Sequence, residues 1–134
     1  MTTNSNNNYK EYTIKVYTNG SKEWYLNGNR HREDGPAIEY DDGSKEWYLN
    51  GKRHREDGPA IERADGSKYW YLNSELHRED GPAIERADGT KEWYLNGEEY
   101  SETQWKKKVS KLNNSCDGRI VEIDGKKYKL IEEK

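Results

Sequence analysis

Three copies of one tetrapeptide carry most of the chain's chemically versatile side chains: His31-Arg32-Glu33-Asp34, His54-Arg55-Glu56-Asp57 and His77-Arg78-Glu79-Asp80. A histidine beside two carboxylates could ligate a metal or pass a proton, and an arginine could hold an anion. The three histidines are the only ones in the chain, and they stand 23 residues apart. Whether they act together depends on the elements that place them.

Those elements repeat. Ser44–Gly66 (SKEWYLNGKRHREDGPAIERADG) recurs with few changes at Ser21–Gly43 and Ser67–Gly89, and a shortened copy runs from Thr90 to Tyr100. A fixed period of this size marks a repeat array. Each unit reads as two short strands, one around Trp-Tyr-Leu and one at Pro-Ala-Ile-Glu, with Pro36, Pro59 and Pro82 opening the second strand where a missing N–H is tolerated. Asp42-Gly43, Asp65-Gly66 and Asp88-Gly89 join the units. As two-residue turns they would set Ile38 opposite Trp47, Ile61 opposite Trp70 and Ile84 opposite Trp93, favourable cross-strand pairs. That register also sets Glu39 near Glu46 and Glu85 near Glu92. It points Trp47, Leu49 and Ile38 to one face and Tyr48, Ala37 and Glu39 to the other.

With two strands per unit and about 4.8 Å between strands, equivalent atoms in neighbouring units stand about 10 Å apart. Zinc needs donors about 2.0–2.1 Å from the ion, so three equivalent histidines cannot share one. No metal site and no cofactor is therefore expected. There is no nucleophile elbow or phosphate-cradling loop, and a thin sheet lacks a deep catalytic pocket. The chain reads as non-enzymatic.

The composition looks poor for folding, since Leu, Ile and Val make only 17 of 134 residues and 37% are charged. Net charge is only −3, however, and five Trp and eleven Tyr supply burial, at about 150–250 Å² per aromatic. The expected fold is mainly β: an elongated single-layer antiparallel meander of 23-residue hairpin units. Residues 1–8 read as a disordered tail, 9–100 as the array and 101–134 as a cap of one helix and a final β-hairpin.

Tyr9–Thr18 alternates Tyr12, Ile14 and Val16 with polar residues, the pattern of a half-buried strand, and Asn19-Gly20 turns it back. Ser101 and Gln104 form a capping box ahead of a stripe of Trp105, Val109 and Leu112, with Tyr100 and Trp105 placed as a hydrophobic staple. Lys106, Lys107, Lys108 and Lys111 lie toward the favourable end of the helix dipole. Arg119–Ile131 reads as a hairpin around Asp124-Gly125. Cys116 is a single thiol and builds no disulfide framework. Met1–Asn8 has no signal-peptide pattern and no stretch is apolar enough to span a membrane, so a cytoplasmic location is expected.

Tyr-x-Asn-Gly-Lys-x-His followed by Asp-Gly resembles the MORN repeat over about 21–100. The matching elements are Asn27-Gly28, Asn50-Gly51 and Asn96-Gly97, the three histidines, and the Asp-Gly pairs. Arg-Glu-Asp-Gly-Pro-Ala replaces the Gly-x-Gly expected after His, the His-to-Asp-Gly segment is two residues longer, and the Tyr-x-Gly before the aromatic is missing. The resemblance implies an elongated antiparallel sheet serving protein interaction or assembly. Because such diverged forms are common in phage proteins, it also implies an accessory protein that blocks a host immune effector such as a CRISPR component.

For the contact surface, the regular Tyr25, Tyr48, Tyr71 and Tyr94 ladder offers large amphipathic area at low entropy cost, with Arg32, Arg55 and Arg78 beside it. The alternatives are a self-assembling module, such as a homodimer, and a sponge for a small anionic ligand held by the Arg-Glu-Asp loops. Each of those arginines is followed by two acids, so there is no basic stripe for nucleic acid or for an anionic membrane.

Overall fold

The computed structural model describes residues 10–114, 119–123 and 126–130. The strands are β1 (Thr13–Val16), β2 (Lys22–Leu26), β3 (Asn29–Arg30), β4 (Ile38–Glu39), β5 (Lys45–Glu46), β6 (Tyr48–Leu49), β7 (Lys52–Arg53), β8 (Ile61–Glu62) and β9 (Lys68–Tyr69). β10 (Tyr71–Leu72), β11 (Glu75–Leu76), β12 (Ile84–Glu85), β13 (Lys91–Leu95) and β14 (Glu98–Tyr100) complete the array. Helix α1 (Glu102–Asn114) and a hairpin of β15 (Arg119–Ile123) and β16 (Lys126–Leu130) follow. The protein is mainly β, an antiparallel meander that does not close into a barrel. Its main sheet runs β1-β2-β4-β5-β8-β9-β12-β13-β14.

The register differs by one residue from the apolar pairing expected between units. Ile38 lies opposite Glu46, Ile61 opposite Tyr69 and Ile84 opposite Glu92; none faces a tryptophan. The turns explain it. Tyr40 donates to the Ser44 carbonyl and Gly43 to that of Tyr40, enclosing three residues with Gly43 at φ +92°. This is the three-residue hairpin loop ending in a left-handed residue, and it recurs at Arg63–Ser67 and Arg86–Thr90. The extra residue shifts every partner by one and exchanges the faces.

The shift also removes the expected carboxylate clashes. One row across the sheet reads Lys22, Glu39, Lys45, Glu62, Lys68, Glu85, Lys91. Every neighbour in it has opposite charge, at about 0.2–1 kcal/mol per cross-strand pair. The adjacent row, on the other face, is Glu23, Ile38, Glu46, Ile61, Tyr69, Ile84, Glu92. Ile38 therefore sides with Tyr48 rather than with Trp47, and Ala37, Ile38 and Tyr48 pack as one buried cluster.

Each unit holds a second hairpin. The strand is interrupted at Trp47 and at Trp70 but runs through Trp24, and Tyr25-Leu26, Tyr48-Leu49 and Tyr71-Leu72 pair back on β3, β7 and β11. Asn27-Gly28 and Asn50-Gly51 have both residues at positive φ, the requirement of a tight type I′ turn. Within the units Asn-Gly, not Asp-Gly, makes the tight turn; Asn19-Gly20, whose type favours a tight turn, instead closes the β1–β2 hairpin as a three-residue loop of Thr18, Asn19 and Gly20.

At the far end, the Gln104 N–H donates to Ser101 Oγ (3.2 Å) and the Ser101 N–H to Gln104 Oε1 (3.3 Å), closing the capping box. Trp105 and Val109 are buried against Leu95, with Trp93 and Tyr100 packed around them. Leu112, expected in the same stripe, is 43% exposed. At the near end, Tyr12 just before β1 and Ile14 and Val16 within it are exposed rather than half-buried. Among the described residues β1 lies at the sheet edge, with β2 as its one strand neighbour in the main sheet. The β15–β16 register pairs Glu122 with Lys127, as the hairpin reading expects; the expected tail 1–8, Cys116 and the Asp124-Gly125 turn lie outside the described residues.

Candidate functional site

In each full unit the His-Arg-Glu-Asp-Gly loop places its arginine over the preceding indole. The guanidinium carbons of Arg32, Arg55 and Arg78 lie 4.0, 3.8 and 3.8 Å from the ring centroids of Trp24, Trp47 and Trp70. Arg55 donates from Nε to Asp57 (3.0 Å) and from Nη1 to the Pro59 carbonyl (3.0 Å) and Glu62 (2.8 Å). Arg32 and Arg78 repeat this set. A Cβ at Gly58 would lie 3.0 Å from the Arg55 guanidinium carbon, so glycine lets the arginine fold over its own loop. The arginines expected to contact a partner or an anion are thus each held by an indole, two carboxylates and a carbonyl.

The histidines link successive units. Nδ1 of His31, His54 and His77 accepts the backbone N–H of Asn50, Asn73 and Asn96 at 2.9, 3.0 and 2.9 Å. That fixes the tautomer, leaving Nε2–H toward a carboxylate: Glu33 at 3.0 Å from His31 and Glu79 at 2.8 Å from His77. Each ring serves its own unit boundary. Among the described residues no three His, Cys, Asp or Glu side chains group to hold a metal ion. Ser21, Ser44 and Ser67 are buried and make parallel links, each Oγ accepting the N–H of Asp41, Ala64 or Ala87.

The tyrosine side is internally bonded as well. Glu46, only 3% exposed, accepts hydrogen bonds from Tyr40 and Tyr48 at 3.0 Å each, with Arg53 and Arg63 at 3.4 and 3.5 Å. Glu23 receives Tyr17 (3.1 Å) and Tyr25 (2.5 Å), and Glu92 receives Tyr94 (3.3 Å). Arg53 lies over the rings of both Tyr48 and Tyr71, at 5.8 and 5.6 Å. Tyr48 is buried, and Tyr25, Tyr71 and Tyr94 are half-buried. Burial and the Glu46 carboxylate push the Tyr40 hydroxyl up to about 12. Burial raises Tyr48 and Tyr94 too, while the hydrogen bond to Glu23 raises Tyr25. Burial pushes the Glu23 carboxyl up, but the bonds from Tyr25 and Tyr17 outweigh it and hold that group below its ordinary value.

What the loops leave exposed is acidic, with Glu56 and Asp57 side chains 83% and 86% exposed. Between successive loops lie two open clefts. The first, about 630 Å³, has Trp47 and Leu49 in its lining and carboxylates of both loops on its rim. The second, about 530 Å³, repeats it with Trp70 and Leu72. Glu56 and Asp57 belong to both. In the last unit, which has no such loop, α1 covers the corresponding residues. Trp105 lies 4.6 Å from Trp93 and donates its indole N–H to the Arg78 carbonyl at 3.0 Å.

Sequence reasoning missed this two-tryptophan closure and the arginine caps. The signal was an arginine three residues before a glycine in each full unit, and in the fourth unit, where Ser101 replaces that arginine, a tryptophan four residues further on. Fold and surface together define a tandem β-hairpin array with repeated acid-rimmed clefts. No protein-family model matches the chain, and no curated protein and no solved structure shows detectable similarity to it.

Proposed function

We propose that this chain is a non-enzymatic repeat module that binds, and thereby sequesters or blocks, another protein along its tryptophan side. The residues contacted are the lining of the two clefts and the carboxylates between them, rather than the tyrosine ladder, where Glu23, Glu46 and Glu92 accept the hydroxyls of Tyr25, Tyr48 and Tyr94 and Arg53 lies over the rings of Tyr48 and Tyr71. One observation carries the reading: the same Trp-Leu floor in the last unit is covered by α1, an amphipathic helix with Trp105 and Val109 inward and Lys106, Lys107, Lys108 and Lys111 exposed. Apolar anchors at i and i+4 on a cationic helix are a familiar helix-in-groove pattern, and the acidic rim favours such a partner and speeds its encounter.

Glu56→Lys tests this. Glu56 sits in the wall shared by both clefts and is highly exposed, so the fold should keep its melting temperature. Capture of a partner from cell extract should fall at least about tenfold, the size of one lost charge contact in a recognition surface. Undiminished capture rejects the clefts as the surface.

A further inference from the structure

The two ends of the array are finished differently. At the far end α1 packs on the β13–β14 hairpin, whereas among the described residues the outer edge of β1 has no strand partner and carries Ile14 at 50% and Val16 at 66% exposure. Exposed apolar edge strands are templates for pairing, and soluble proteins normally blunt them. The hydrogen bonding of β2 shows which groups of β1 remain. The Tyr17 N–H donates to the Ser21 carbonyl, while the Trp24 N–H donates away from β1 to Ala37. In an antiparallel pair, bonded and non-bonded positions alternate. Thr13, Lys15 and Tyr17 therefore direct their backbone groups toward β2, and Tyr12, Ile14 and Val16 direct theirs outward.

We propose that a second copy of this chain pairs with that edge, β1 against β1 antiparallel, about a two-fold axis through Ile14. A two-fold centred on a residue, rather than between two, lets both strands use their outward groups; centring it on Ile14 pairs all three outward residues with one another, whereas centring on Lys15 would set Lys15 against its copy. The register centred on Ile14 sets Ile14 opposite Ile14, Val16 opposite Tyr12 and Lys15 opposite Thr13. The first two are apolar pairs of the kinds that stabilise sheets, and no like charges meet. The contact is isologous and closes at two copies, because each copy's outer β1 edge is used up in it. The result is one continuous sheet with the clefts of both copies on the same side. This does not rest on the binding reading above, since a monomer could bind through its clefts equally well.

The experiment is sedimentation equilibrium on the full chain over a wide concentration range, with a cross-linking control. The expected result is the mass of two chains rather than one of 15.8 kDa. Val16→Pro removes an outward N–H but no bond to β2, and should shift the dissociation constant at least tenfold toward monomer while keeping the circular dichroism spectrum. In a Cys116→Ser background, Ile14→Cys should form an intermolecular disulfide under mild oxidation and Lys15→Cys should not. A strict monomer, a dimer indifferent to Val16→Pro, or equal cross-linking at both positions overturns the proposal. So does a monomer that pairs only after residues 2–9 are removed, which would show that segment to be the occupant of the edge.

Discussion

The repeated side chains have specific structural partners, and substitutions should reveal them. Arg55 packs its plane on Trp47 while bonding Asp57, Glu62 and a carbonyl; lysine keeps the charge but loses the fork and the flat face. Arg55→Lys is expected to cost about 2 kcal/mol, the scale of lost charged hydrogen bonds, and to alter Trp47 fluorescence. Stability equal to that of the parent would contradict the cap. Ser74 stands where the first, second and fourth units have glycine, at φ +70°. A left-handed non-glycine residue costs about 1–2 kcal/mol, so Ser74→Gly should stabilise the chain by about 1 kcal/mol in denaturant titration. His54→Ala should destabilise it by about 1–3 kcal/mol, because the Asn73 N–H loses its acceptor; asparagine at that position tests whether any acceptor suffices.

The helix terminates the array by standing in for an arginine. Trp105→Ala removes the Trp93 contact and the bond to the Arg78 carbonyl, and should cost about 3–5 kcal/mol. Because an isolated helix of this length is marginal, helical signal should disappear from circular dichroism while the β signal persists. Simultaneous loss of both would show the units to be less independent than a nearest-neighbour array implies. Element by element, the sequence was readable where the cue was local. The 23-residue period, the capping box and the Trp105/Val109 stripe all predicted what formed. Register was not local. It turned on whether Asp41-Asp42-Gly43 closes as a two- or three-residue turn, and on Trp47 finding its cover in Arg55 rather than across the strand. The candidate surface followed from that shift, since exchanging the faces moved Ile38 to the tyrosine side and left the acids as the exposed part of each loop.

Across the whole molecule, the tyrosine face should set the alkaline limit of stability. Tyr40 is raised to about 12, with burial and Glu46 as the causes, against about 10 in an unfolded chain. A raised folded value means the protonated form is favoured by folding. That contribution is intact below pH 10 and is lost as pH rises from 10 to about 12. Tyr25, Tyr48 and Tyr94 shift in the same direction. Absorbance titration at the tyrosinate band should place ionisation above that of the denatured chain, and melting temperature should fall through this window. Tyr40→Phe should flatten the fall; an unchanged slope would assign it elsewhere.

Amide hydrogen exchange on the chain bound to a captured partner tests the central claim most directly. Protection should appear over 46–58 and 69–81, which hold the Trp-Leu floors of both clefts and the wall they share, while β1 and the tyrosine-side turns keep their free-state rates. Protection confined to the tyrosine side, or no protection anywhere in these two stretches, would contradict it.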